Sequence, residues 1–145
     1  MPTIAIEMTD NEIRHVADVA LPDPEDPFHP FGLSPTRFSA IVDTGSTHTG
    51  VTQKVVDALE AEQVGVAMVS YAGNETVRTP TYKMVVGIPI METEEQGGTR
   101  TYVRGESLLV ELIPDQEDGT DIILGIDLLQ SFHITMYGSQ CIISN

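Results

Sequence analysis

The sequence predicts a mainly β fold with one or two short helices. Three observations carry that expectation. Short apolar runs rich in Val, Ile and Thr recur between clusters of Gly, Pro, Asn and Asp. Helical spacing of apolar residues is sustained over one stretch, near residues 52–62. Between Leu21 and Pro35 stand five prolines in 15 residues, which neither a helix nor an interior strand tolerates.

In chain order, residues 3–8 alternate as a strand and residues 12–21 form a second. The proline run then reads as an ordered surface loop, because Phe28, Phe31 and Leu33 give it something to bury. Phe38 to Val42 follows as a strand buried on both faces, and Asp43-Thr44-Gly45-Ser46 ends it with turn chemistry. The helix has Val51, Val55, Leu59 and Glu62 on one face, Thr52 as its cap and Gly65 soon after its end, and its role is packing. Residues 66–72 and 76–90 read as a hairpin turning at Ala72-Gly73-Asn74-Glu75. Further strands, Met84 to Met91 and Thr101 to Ile113, flank a polar turn, and Asp115 to Gly119 is an acidic loop. Thr120 to Leu129 is an apolar strand ending at Gly125 and passing into a short helix near 126–132. Cys141 to Asn145 is a terminal strand that needs a partner along its edge.

At 145 residues the chain is expected to be one domain, 1–145, with a strand and proline-rich extension over 1–37 and a core over 38–145. A domain of this size buries about 70% of the surface its unfolded chain exposes, enough for one core. Seven basic against 22 acidic side chains give a formal net charge of -15, which argues against nucleic acid or an anionic membrane as partner. No basic leader and no run of about 18 apolar residues is visible, and Cys141 is the lone cysteine, so cytoplasm is the expected compartment. The acidic loops lack calcium-loop spacing. His15, His29, His48 and His133 lack zinc spacing, so no metal and no cofactor is expected.

The carboxylate of Asp43, aimed by a stiff turn at the mouth of a buried strand, is a candidate for acid/base work. Taken with Ile123-Leu124-Gly125 late in the chain, Ile41-Val42-Asp43-Thr44-Gly45-Ser46 resembles the retropepsin family of aspartic proteases. There, Asp-Thr-Gly-(Ser/Ala) on an apolar strand precedes a hydrophobic-hydrophobic-Gly motif. The resemblance covers about residues 38–145 and matches the first 37 weakly. It implies a closed acid-protease barrel and an aspartic endopeptidase. Asp43 would be the catalytic carboxylate, Thr44 a lock between two copies of the loop, and Gly45 a point of close substrate approach. Ser46 would donate its hydroxyl to the carboxylate. The hairpin at Tyr71, Ala72, Gly73 and Asn74 would be a flap over bound peptide; the competing reading is an ordinary hairpin with an exposed tyrosine.

The chain supplies one Asp-Thr-Gly, whereas the chemistry uses two carboxylates sharing a proton. The resemblance therefore implies a homodimer acting on a peptide or protein substrate, with residues 141–145 and 3–8 available to weave the termini together. Two departures stand out: Ile126-Asp127 occupies the place of a basic residue and an amide in viral relatives, and His48 that of an acid. Two further readings stay open, a non-catalytic dimerisation or peptide-binding module and a plain β-rich adaptor in which Asp43 only caps a turn.

Overall fold

The computed structural model describes residues 3–10, 12–25, 35–70 and 75–144, with the side chains of residues 92, 93 and 102 set aside. Strands β1 (Thr3–Thr9) and β2 (Glu12–Ala20) open the chain, followed by β3 (Thr36–Val42), β4 (Gly50–Val51) and helix α1 (Gln53–Leu59). Next come β5 (Gln63–Ser70), β6 (Thr76–Thr93) and β7 (Thr99–Leu112), then β8 (Ile122–Leu124), helix α2 (Ile126–Leu129), β9 (His133–Tyr137) and β10 (Gln140–Ser144). The fold is mainly β, as its alternating and β-branched runs require.

All the strands join one mixed sheet in the order β5-β6-β7-β4-β8-β3-β2-β1-β10-β9. β3 with β8 and β4 with β7 are parallel; the other pairings are antiparallel. β6 also pairs with β2, Asp18 to Ala20 lying opposite Gly87 to Val85, so the ladder returns on itself through β6, β7, β4, β8, β3 and β2. Those six strands supply most of the core, including fully buried Val19, Val51, Met84, Ile88, Val110, Ile122 and Leu124. Burying each such side chain contributes about 1.5–3 kcal/mol.

Several expectations need correction. Residues 76–93 form one continuous strand where the sequence suggested two overlapping ones. Pro80 and Pro89 sit within it without ending it, and β6 is flanked by β7 on one edge and by β5, β2 and β1 on the other. Helix α1 is shorter than 52–62. Glu60 terminates it in the left-handed region (φ 51°, ψ 40°), where its N–H and that of Ala61 return to the carbonyls of Asp57 and Val56. Gly65 therefore plays no part in stopping the helix and lies in β5. Thr52 occupies the cap position, but its hydroxyl makes no capping bond and is buried without a partner. The terminal strand β10 has both edges filled inside the chain, by β1 (Thr3 opposite Ser144) and by β9 (Gln140 opposite Tyr137), and the open edge passes to β9. Most of the proline-rich loop, residues 26–34, and the hairpin tip, residues 71–74, lie outside the described residues.

Candidate active site

The site is built where β8 lies between β3 and β4. Ile41 stands opposite Ile123 and Val42 opposite Leu124 in the parallel pair, while Gly50 and Val51 face Ile123 and Ile122 on the other side. The ladder extends one step past the strand, because the Asp43 N–H donates to the Leu124 carbonyl at 3.0 Å. The chain then turns on the Asp43 side chain: Gly45 N–H donates to Oδ1 at 2.9 Å, and Ser46 N–H donates to the Asp43 carbonyl at 3.2 Å. A carboxylate held at its backbone end by β8 and at its side-chain end by the turn is aimed before any ligand arrives.

The Leu124-Gly125 step supports the loop from beneath. A Cβ on Gly125 would sit 2.5 Å from the His48 carbonyl carbon, so only glycine lets this backbone lie against the loop. Past it, the Ile126 and Asp127 N–H groups donate to the carbonyls of Ser46 (2.8 Å) and Thr47 (3.3 Å). The Asp127 carboxylate completes the attachment. It accepts from Thr49 N–H at 3.0 Å, from the Thr49 hydroxyl at 2.7 Å and from Leu128 N–H at 2.9 Å, and that same hydroxyl accepts from Gly125 N–H at 3.1 Å. An acid with backbone and hydroxyl donors thus stands where the pattern in viral relatives has an amide.

Above the loop opens a cleft of about 640 Å3. Asp43, Gly45, Ser46, Thr47 and His48 line its floor, with Ile123, Gly50, Glu111 and Ile113 beside them and Met68, Val69 and Ser70 of β5 across it. Asp43 and Thr44 are exposed, whereas Leu124 and Gly125 are buried behind the loop. Tyr71 to Asn74 fall outside the described residues, but Ser70 pairs with Thr76 at the base of that hairpin and itself lines the cleft. The Ser46 hydroxyl donates to the His48 carbonyl at 2.8 Å, so within one chain it is directed away from the Asp43 carboxylate that the resemblance offered as its acceptor.

Two cleft residues were not singled out as site residues in the sequence. Glu111 looks there like any polar residue of an alternating strand, and His48 like a departure from pattern; the fold brings His48 Nδ1 to 3.4 Å from Glu111 Oε1. The other acid near the second motif, Asp121, is structural. It is buried, accepts from the Ser39 hydroxyl at 3.0 Å and pairs with Lys54 at 3.2 Å. Among the described residues no group of three or more His, Cys, Asp or Glu side chains is placed to hold a metal ion. Nor is any helix there long and apolar enough to cross a membrane.

The chain is similar in structure to a retropepsin-like aspartic protease from Rickettsia conorii, with a TM-score of 0.59 over 97% of this chain and 89% of that one. Sequence identity is 15%, so the likeness establishes a shared fold. No family model matches the chain, and no curated protein matches it in sequence.

Proposed function

We propose that the protein is an aspartic endopeptidase whose site is completed by a second copy of the chain. The observation that carries this reading is Asp43 itself, an exposed carboxylate fixed by β8 and its own Asx turn at the floor of a cleft able to take an extended peptide. Two such carboxylates brought together across a two-fold axis share one proton, because a second negative charge a few Å away is costly. The ionised carboxylate takes a proton from a bound water while the protonated one donates to the scissile carbonyl oxygen. Water oxygen bonds to the carbonyl carbon, and the resulting diol collapses as the amine nitrogen is protonated and leaves.

In this reading Thr44, exposed beside Asp43, bonds the partner loop, and Gly45 keeps the approach open; a Cβ there would stand 3.2 Å from Asp43 Oδ1. The fold shared with a retropepsin-like aspartic protease supports the same reading.

The test is Asp43→Asn, assayed on a mixed peptide library at several acidic and neutral pH values. The expected result is cleavage by the wild type and none by the variant, with melting temperature and sedimentation unchanged. A wild type that cleaves nothing at any pH yet binds peptides as well as Asp43→Asn does would instead favour a non-catalytic peptide-binding module.

A further inference from the structure

Two carboxylates line the cleft among the described residues. Among the described residues, Asp43 and Glu111 line it together with His48, and no lysine or arginine does. Glu111 is fixed at the end of β7, opposite Gly50, and its N–H donates to the Thr49 carbonyl at 3.1 Å, directly beside the active loop. Its side chain is sheltered, 16% exposed, while its partner His48 is 58% exposed. Their contact is long, 3.4 Å, and is an ion pair only when the imidazole carries a proton. A sheltered carboxylate gains more from a permanent cation than from an exposed ring that is charged only if protonated. The apolar part of the cleft lining, Ile113, Ile123 and Met68, suits the methylene stem of a long basic side chain.

From this juxtaposition we propose that Glu111 is a specificity-determining residue that selects an arginine or lysine side chain near the scissile bond. The incoming cation takes the place of His48 against Glu111, its stem lying on Ile113 and Ile123. An acidic side chain at the same position meets two carboxylates and is rejected by charge repulsion. The overall charge of -15 adds a long-range attraction for basic peptides, but that attraction favours no single position, whereas Glu111 favours one.

The inference rests on the peptide-cleaving reading above, and its test separates the two. Peptides of one length carrying arginine, norleucine or glutamate at each position in turn are compared at a single pH, by kcat/KM with the wild type and by fluorescence-anisotropy binding to Asp43→Asn. The expected result is one position where arginine exceeds norleucine by about tenfold or more, as a hydrogen bond between charged groups gives, with glutamate below both. Glu111→Gln brings that ratio to about one, and His48→Asn retains it. Should Glu111→Gln fail to fold, Glu111→Asp is the substitute, its shorter side chain lowering the ratio. A Glu111 variant that folds and keeps the wild-type ratio overturns the proposal, and so does a wild type that shows no arginine preference at any position. Preferential binding of the arginine peptide without any cleavage removes the peptidase reading and leaves the subsite standing.

Discussion

Asp127 holds the Asp43 loop from the far side of the second motif, by three accepted hydrogen bonds from Thr49 and Leu128. Bonds to a charged group contribute about 1.5–3 kcal/mol each and are not additive. Asp127→Ala should therefore lower stability by about 3 kcal/mol, read as a shift of the urea midpoint; a loss below about 0.5 kcal/mol would mean the loop holds without it. His15 makes a different kind of statement. Burial, and next the Arg37 charge, outweigh its hydrogen bond to the Pro89 carbonyl and hold its pKa below the usual 6.5. The unfolded chain then takes up a proton that the folded one resists, so folding stability falls as pH drops below about 6.5 and stops falling once folded His15 protonates. His15→Gln should flatten that part of the stability profile in urea titrations at successive pH values; an unchanged slope would contradict it. Asp118, held at about 2 chiefly by Thr120 N–H and also by Arg14, contributes stability that is lost only at lower pH, as it falls from about 3.8 toward 2, so the two effects separate. Asp43, Gly45 and the Leu124-Gly125 step were legible in the sequence because each is a local pattern. Asp127 and Glu111 were not, since their partners, Thr49 and His48, are 78 and 63 positions away and meet them only through the pairing of β4 with β7 and β8.

At the scale of elements, period-two alternation and turn residues made most strands readable, and errors fall where a neighbour overrules a local signal. Thr52 has the right side chain for a cap, yet its N–H is taken by the Asp121 carbonyl at 3.0 Å and its hydroxyl faces the core, so α1 is started by backbone and packing. β6 is long for a strand, about three times the usual five or six residues, and only its several partners along both edges explain why it does not break. The apolar run near the C-terminus was readable as a strand, but its partner was not. β10 lies between β1 and β9, with Cys141 and Ile143 buried. Amide hydrogens of residues 141–143 should exchange slowly even at dilutions where the protein is monomeric, because their partners belong to the same chain. Protection that appears only as concentration rises would mean that β10 pairs with another molecule.

For the whole molecule, the sheet brings one Asp43, one Glu111 and one β5 edge to a single cleft, an arrangement with half the carboxylates that peptide hydrolysis by this route uses. Three of its seven lysines and arginines are paired within the fold: Arg37 to buried Asp18 at 2.8 Å, Arg14 to Asp118 at 2.9 Å, Lys54 to Asp121 at 3.2 Å. The single Asp-Thr-Gly in the sequence is what motivates the proposed second copy, and composition could say no more, because an interface between copies would be a property of the folded surface. The most direct test of the shared site mixes wild-type and Asp43→Asn chains at constant total concentration, lets subunits exchange, and follows peptide cleavage against the wild-type fraction. If each site needs one carboxylate from each chain, the rate follows the square of that fraction, and an equal mixture retains about a quarter of the wild-type rate. A rate that falls in direct proportion, leaving about half, would place a complete site within one chain and contradict the account.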